Sequence, residues 1–326
     1  MRRDALILLA ALLVSGLAGL GAALLFGSVP TGSGELAAIL TGGGSEPLRS
    51  IVLDLRLPRA LTAFAVGGLL ALAGALLQVL LRNPLADPYV LGTSGGAAVG
   101  ALLAMVAGTA LIGTGAFAGA LLATLLVFGL ARRGGDWAPA RLLLTGIILA
   151  SAWGALIAFI LSVAPEHNLR GMLFWLMGDL QPGGAPWPQL TVLGVALGVA
   201  FALARPLNLL ARGELQARTL GVAVTPLRNI LYALAALTTA SAVTLAGSVG
   251  FVGLVIPHLL RLAGARDQRV LLPACVLAGG TLLLIADTLA RTLWAPRQLP
   301  VGILTAAIGV PLFLFLLLRR RADVRA

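Results

Sequence analysis

The chain has 326 residues, 59% of them hydrophobic and 11% charged, with a mean hydropathy of +1.02 and a formal net charge of +11. This composition excludes an ordinary water-soluble domain, and the sequence lacks the alternating polarity of a membrane β-barrel. Every one of the 23 basic residues is arginine, so the lysine that a G-x-x-x-x-G-K-[ST] phosphate loop needs is missing.

The chain opens with two arginines and then stays apolar to Phe26. That run exceeds the apolar core of a cleaved signal peptide and suffices to cross a hydrocarbon layer about 30 Å thick; it is read as a retained first span. Further apolar runs follow at 58–81, 91–110, 112–131, 141–163, 189–205, 229–247, 249–262, 270–292 and 301–318, so that with 5–26 there are ten. The expectation is an all-α polytopic membrane protein, residues 1–326 forming one transmembrane domain. The eighth run is short and punctuated by Gly250, Gly253 and Pro257, which suggests a half-helix enclosed by others. "GGLLALAGALL" (Gly67 to Leu77) and Gly115-x-x-x-Gly119 predict close helix contact through small residues.

Between the second and third runs lies "LRNPLADPYVLGTSGGAAVG", Leu81 to Gly100. Pro84 and Pro88 prevent the helix from continuing, and Gly92, Gly95 and Gly96 allow the third span to begin against its neighbours. Two loops exceed a tight turn. The outer one, 162–190, contains an amphipathic segment from Leu169 to Met177; the inner one, 205–229, contains four arginines around a helical core from Glu214 to Leu220. A polar helix there is a candidate contact for a soluble partner.

Arginine distribution orients the chain, since cytoplasmic loops collect basic residues. Seventeen arginines fall on the side of the N-terminus and six on the other, namely Arg49, Arg56, Arg59, Arg170, Arg291 and Arg297. Both termini are therefore expected in the cytoplasm.

Catalytic chemistry finds little support. His167 and His258 fall on opposite faces, Cys275 is solitary, and no hydrolase or metal-ligand motif is present. The span centres hold no ionisable residue, which weighs against proton or sodium coupling; Gln78 is the strongly polar side chain inside the second span. On the outer side Arg56 and Arg59 lie three apart around Pro58, with Arg291 closing the ninth span. From the residues alone they serve either lipid headgroups or an acidic partner.

The stretches from Leu55 to Gly100, "GSVGFVGLVIPHLLRLAGARDQRVLLPACVLAGG" and "IADTLARTLWAPRQLPVGILTAAIGVPLFLFLLLRR" resemble the FecCD-type permeases, membrane subunits of binding-protein-dependent ABC importers for vitamin B12, iron-siderophores and haem. The resemblance covers nearly the whole chain. It implies a type II ABC importer permease fold in a bacterial inner membrane, with two permease copies around a central path. A periplasmic binding protein would deliver the chelate, and two cytoplasmic ATPase subunits would hold ATP and magnesium, leaving this chain without catalytic site, cofactor or metal. It further implies binding-protein docking at Arg56, Arg59 and Arg291, and ATPase coupling at Glu214, Arg218, Leu220, Gly221 and Val222. The cytoplasmic gate would lie at Asn83, Pro84 and Leu85, and the path between the fifth and tenth spans, with Thr145, Ser151, Ser162 and Thr305 as polar exceptions. Iron-siderophore, haem and cobalamin all remain open as substrate. A secondary transporter or channel of similar helical packing is the alternative.

Overall fold

The computed structural model describes residues 3–27, 29, 31–131, 139–180 and 185–323. Arg2, Arg132, Arg133 and Arg325, counted above as inner-face charges, lie outside these residues. The elements are helices α1 (Arg3–Leu25), α2 (Ser33–Leu40), α3 (Glu46–Ser50), α4 (Leu57–Leu80), α5 (Thr93–Val106), α6 (Ile112–Ala131), α7 (Pro139–Val163), α8 (Glu166–Leu176) and α9 (Trp187–Ala202). There follow α10 (Ala204–Arg212), α11 (Glu214–Thr219), α12 (Val224–Ala246), α13 (Val252–Leu262), α14 (Gln268–Thr292) and α15 (Val301–Asp323). Among the described residues six rods are long and apolar enough to cross a membrane, and the bent pair α9–α10 counts as a seventh; the shorter apolar helices α5, α13 and α15 fall at the three remaining apolar runs.

α4 is the axis of the bundle. From Val66 to Leu80 every residue is buried, because α14, α12 and α13 pack around it. Small residues make this possible. A Cβ on Gly67 would collide with the Gly279 carbonyl of α14, and one on Gly74 with the Gly253 carbonyl of α13. With no water to expel between helices in lipid, such backbone approach supplies the dispersion contact that holds them. The same device joins α5 to α6, where Gly96 and Gly100 meet Gly119 and Gly115.

Three expectations change. The second span, expected from residue 58, begins earlier: Pro58 lies in the first turn of α4, but Glu46 to Leu80 forms one 35-residue rod. A π turn, Ile51–Arg56, precedes the proline, and the Leu57 N–H reaches back five residues to the Val52 carbonyl. The wider turn accommodates a ring that would crowd the carbonyl four residues back in a regular helix. Second, the inner loop is shorter and more helical than 205–229. α10 turns 63° away from α9 beside Pro206, and α12 already starts at Val224. α10 buries Leu207 and Leu210 while Arg205 and Arg212 stay exposed, the pattern of a helix lying along an interface.

Third, the segment after Leu80 is more than an inner-end turn. Gly92 and Gly95 lie against Trp153, in the middle of α7, and Gly253 lies against Pro88 and the Leu70 carbonyl, in the middle of α4. The chain thus climbs back into the bundle before α5 begins. The non-helical backbone is held by protein partners: Asp87 accepts from the Tyr89 N–H at 2.8 Å, the Tyr89 hydroxyl accepts from the Val249 N–H at 3.0 Å, and the Ser94 and Ser248 hydroxyls pair at 2.7 Å. Irregular backbone at this depth is tolerable because it is enclosed and satisfied.

Candidate functional site

At the end of the bundle assigned above to the outside, Asp287 of α14 is the centre of a charged cluster. It is 1% exposed and accepts from Arg59 Nε (3.1 Å), Arg59 Nη2 (2.8 Å) and Arg291 Nε (3.1 Å). The spacing from Asp287 to Arg291 is one helical turn, whereas Arg59 arrives from α4 by packing. Gln298 extends the cluster: its Oε1 accepts from Arg59 Nη1 at 3.3 Å and its Nε2 donates to Asp179 at 2.9 Å. Burial pushes the Asp179 carboxyl above its ordinary range, against the opposing pull of Arg59 and Gln298.

Arg56 stands apart from this cluster. It is 4% exposed, and its guanidinium donates to the Leu24 carbonyl at 2.7 Å, to Thr31 Oγ1 at 2.9 Å and to the carbonyls of Leu25 and Val29. The expectation of Arg56 as an open docking residue beside Arg59 is therefore corrected. The helix-end carbonyls of α1, which lack intrahelical partners, capture the guanidinium; Arg56 ties Leu24, Leu25, Val29 and Thr31 to the start of α4.

At the opposite end, Asn83 Oδ1 accepts from the Leu85 N–H at 3.0 Å, and the Leu85 side chain is exposed beside Pro84. Gln78 anchors this loop from below. Its Nε2 donates to the Leu254 carbonyl at 3.2 Å and to the Ala86 carbonyl at 3.4 Å, while Arg261 donates to its Oε1. The one strongly polar side chain inside the second span is thus the staple between α4, the loop and α13.

α11 lies at the end of the bundle assigned above to the inside. Glu214 at its first turn pairs with Arg218 (2.8 Å) and with buried Arg228 of α12 (2.7 Å), an order that also suits the helix dipole. Slight burial raises the Glu214 pKa, but the hydrogen bonds from Arg228 and Arg218 outweigh it and hold the carboxyl below its ordinary range. Gly221 ends the helix at φ +80°, and the Val222 N–H returns to the Ala217 carbonyl at 2.9 Å. This left-handed closure favours glycine. Leu215 and Leu220 are exposed at 77% and 65%. Both leucines are bare on a polar helix; Leu215 was not singled out in the sequence, although the alternation of charged and apolar residues across 214–220 contained it.

α7 presents an open stripe at Leu144, Ile148, Ser151, Phe159 and Ser162, repeating with helical period. Ser151 and Ser162 return their hydroxyls to their own helix, and Thr145 is half-buried. Thr305 of α15 is 2% exposed and donates to the Gly302 carbonyl at 3.1 Å. Its expected place on an open wall is corrected: Gly302 packs on the Met177 carbonyl, which turns this part of α15 inward. Among the described residues no group of three or more His, Cys, Asp or Glu is placed to hold a metal ion.

The FecCD transport family matches residues 9–319. The chain belongs to that family. It is 43% identical over 279 residues to the vitamin B12 import system permease protein BtuC of Escherichia coli O9:H4 (strain HS), covering 83% of this chain and 84% of that protein. The BtuC protein of Shigella boydii serotype 18 matches to the same extent. A solved metal-chelate type ABC transporter in an inward-facing conformation superposes with a TM-score of 0.83 at 32% identity, over 95% of this chain and 98% of that one. PsaBC from Streptococcus pneumoniae, at 16% identity and a TM-score of 0.55, shares the fold. The all-α type II importer permease architecture expected from the sequence is the architecture found.

Proposed function

We propose that two copies of this permease form the path of an ATP-driven importer for a corrinoid of the vitamin B12 type, residing in a bacterial inner membrane with both termini in the cytoplasm. The observation that carries this reading is the 43% identity to vitamin B12 import permeases across 279 residues. A binding protein docks acidic groups on the outer cluster at Arg59 and Arg291, and Arg56 steadies the segment beside them. Two ATPase subunits receive α11 through Leu215, Leu220, Gly221 and Val222, and the Glu214, Arg218 and Arg228 ion pairs pass its displacement to α12.

The path runs between the open face of α7, with Thr145 and Ser151, and α15 of the two copies. Such an apolar wall suits a bulky ligand held weakly, because recognition belongs to the binding protein. Asn83, Pro84 and Leu85 form the inner gate. Gln78 and Arg261 tether it to α13, so a shift of α13 moves the gate.

The test is reconstitution in vesicles with the cognate ATPase and binding protein, following uptake of cyanocobalamin, of a ferric siderophore and of haem. ATP-dependent uptake of cyanocobalamin is expected. Uptake by this chain alone, insensitive to ATP, would establish a secondary transporter or channel instead, and ATP-dependent uptake of the iron compounds alone would move the substrate.

A further inference from the structure

A cleft of about 620 Å³ opens at the inner end of the bundle between α4, α10, α13 and α14. Four arginines line it, Arg82, Arg212, Arg261 and Arg266, against one carboxylate, Asp267. Asp267 is already occupied: it accepts from Asn208 Nδ2 at 2.8 Å and from the Arg269 N–H at 3.0 Å as the cap of α14. Those bonds, the backbone one foremost, hold its carboxyl below the ordinary range. None of the four arginines forms an ion pair among the described residues. Arg261, half-buried, has Gln78 Oε1 as its hydrogen-bond partner.

Two further features distinguish this cleft from a solvated basic surface. Arg82 holds a left-handed backbone, φ +49°, a conformation that costs a non-glycine residue energy and that here follows from the break after α4. Gln268, 2% exposed and part of the cleft wall, has its Oε1 without a hydrogen-bond partner. Rotated by half a turn, the same amide would present two N–H donors. A buried amide oxygen without a partner is costly; turned to donate, the same group would meet an anion held in the cleft.

We propose that this cleft binds a phosphate group, with Arg82, Arg261 and Arg266 as its charged donors and Gln268 closing the wall. Guanidinium forks match phosphate oxygens in pairs. Two sources share that chemistry: the headgroup of an anionic phospholipid, entering along the amphipathic α10, and a soluble phosphate from the cytoplasm. Because Arg82 and Pro84 belong to the same loop as Leu85, an occupied cleft ties that loop to α13 and α14.

Binding is measured on the full chain purified in detergent, with inorganic phosphate as one probe and mixed micelles of phosphatidylglycerol, against phosphatidylcholine, as the other. Saturable binding is expected, weakened about tenfold or more in Arg82→Ala/Arg266→Ala and unchanged in Arg205→Ala, which removes an exposed charge from α10 outside the cleft. Binding of phosphatidylglycerol alone identifies a lipid headgroup; binding of inorganic phosphate as well identifies a soluble anion site. Equal loss in Arg205→Ala would reduce the effect to general charge and overturn the proposal. So would failure of both probes to bind saturably; if the double variant then also lost the ATPase subunit, the cleft would be a docking surface for an acidic protein.

Discussion

Replacing Asp287 with asparagine tests whether the outer cluster is a structural unit. The carboxylate is buried and accepts three N–H groups from two arginines that are themselves 11% and 13% exposed. Asparagine preserves the shape, removes the charge and turns an N–H₂ toward a guanidinium. Breaking a buried pair by removing one partner costs about 3–5 kcal/mol, chiefly because the remaining charges stay buried. At roughly 2–4 °C per kcal/mol for larger chains, Tm should fall by about 6–20 °C. The assay is thermal unfolding in detergent, followed by intrinsic tryptophan fluorescence. A second arm adds Arg59→Gln and Arg291→Gln to Asp287→Asn; with no unpaired charge left, the triple variant should regain much of the lost Tm. A Tm for Asp287→Asn within about 1 °C of the parent, or losses that simply add across the three positions, would refute the argument.

Gly74→Ala and Gly67→Ala should each lower stability by roughly 1–3 kcal/mol, because α4 must separate from α13 or α14 to admit a methyl group. Gly198→Ala, with nothing near the added atom, is the control, and thermal unfolding of all three in parallel checks it. Arg56→Ala should expose the chain at Leu24, Leu25 and Val29 to limited proteolysis, since their carbonyls lose a shared donor. The anchoring of α11 should depend on acid. The Glu214 pKa is depressed in the fold, so its contribution is complete above the ordinary carboxylate range and is lost as pH falls through the depressed value. The protection factors of the α11 amides, exchange corrected for its intrinsic pH dependence, should fall as pH drops through the depressed Glu214 value in the parent, whereas Glu214→Gln should show low protection at every pH. Gly221→Val should uncouple ATP hydrolysis from uptake, because a β-branched residue resists φ +80°; intact coupling in that variant would remove the closure of α11 from the mechanism.

The ten spans, the two excursions and the small-residue contacts were readable in the sequence, because each follows from local patterns: the length of apolar runs, the placement of Pro and Gly, and the spacing of small residues. α11 was legible for the same reason. Tertiary structure alone decided what the charges do. Arg56 and Arg59 are three residues apart, yet one meets the carbonyl ends of α1 and the other an aspartate 228 residues away. Depth was equally beyond the sequence. The stretch from Leu81 to Gly92 has the composition of a surface turn, and only packing against Trp153, Leu70 and the 247–253 loop carries it into the bundle. Local pattern determines which segments are helical and apolar; long-range packing determines which polar groups are satisfied by protein, and therefore which remain free to meet a partner.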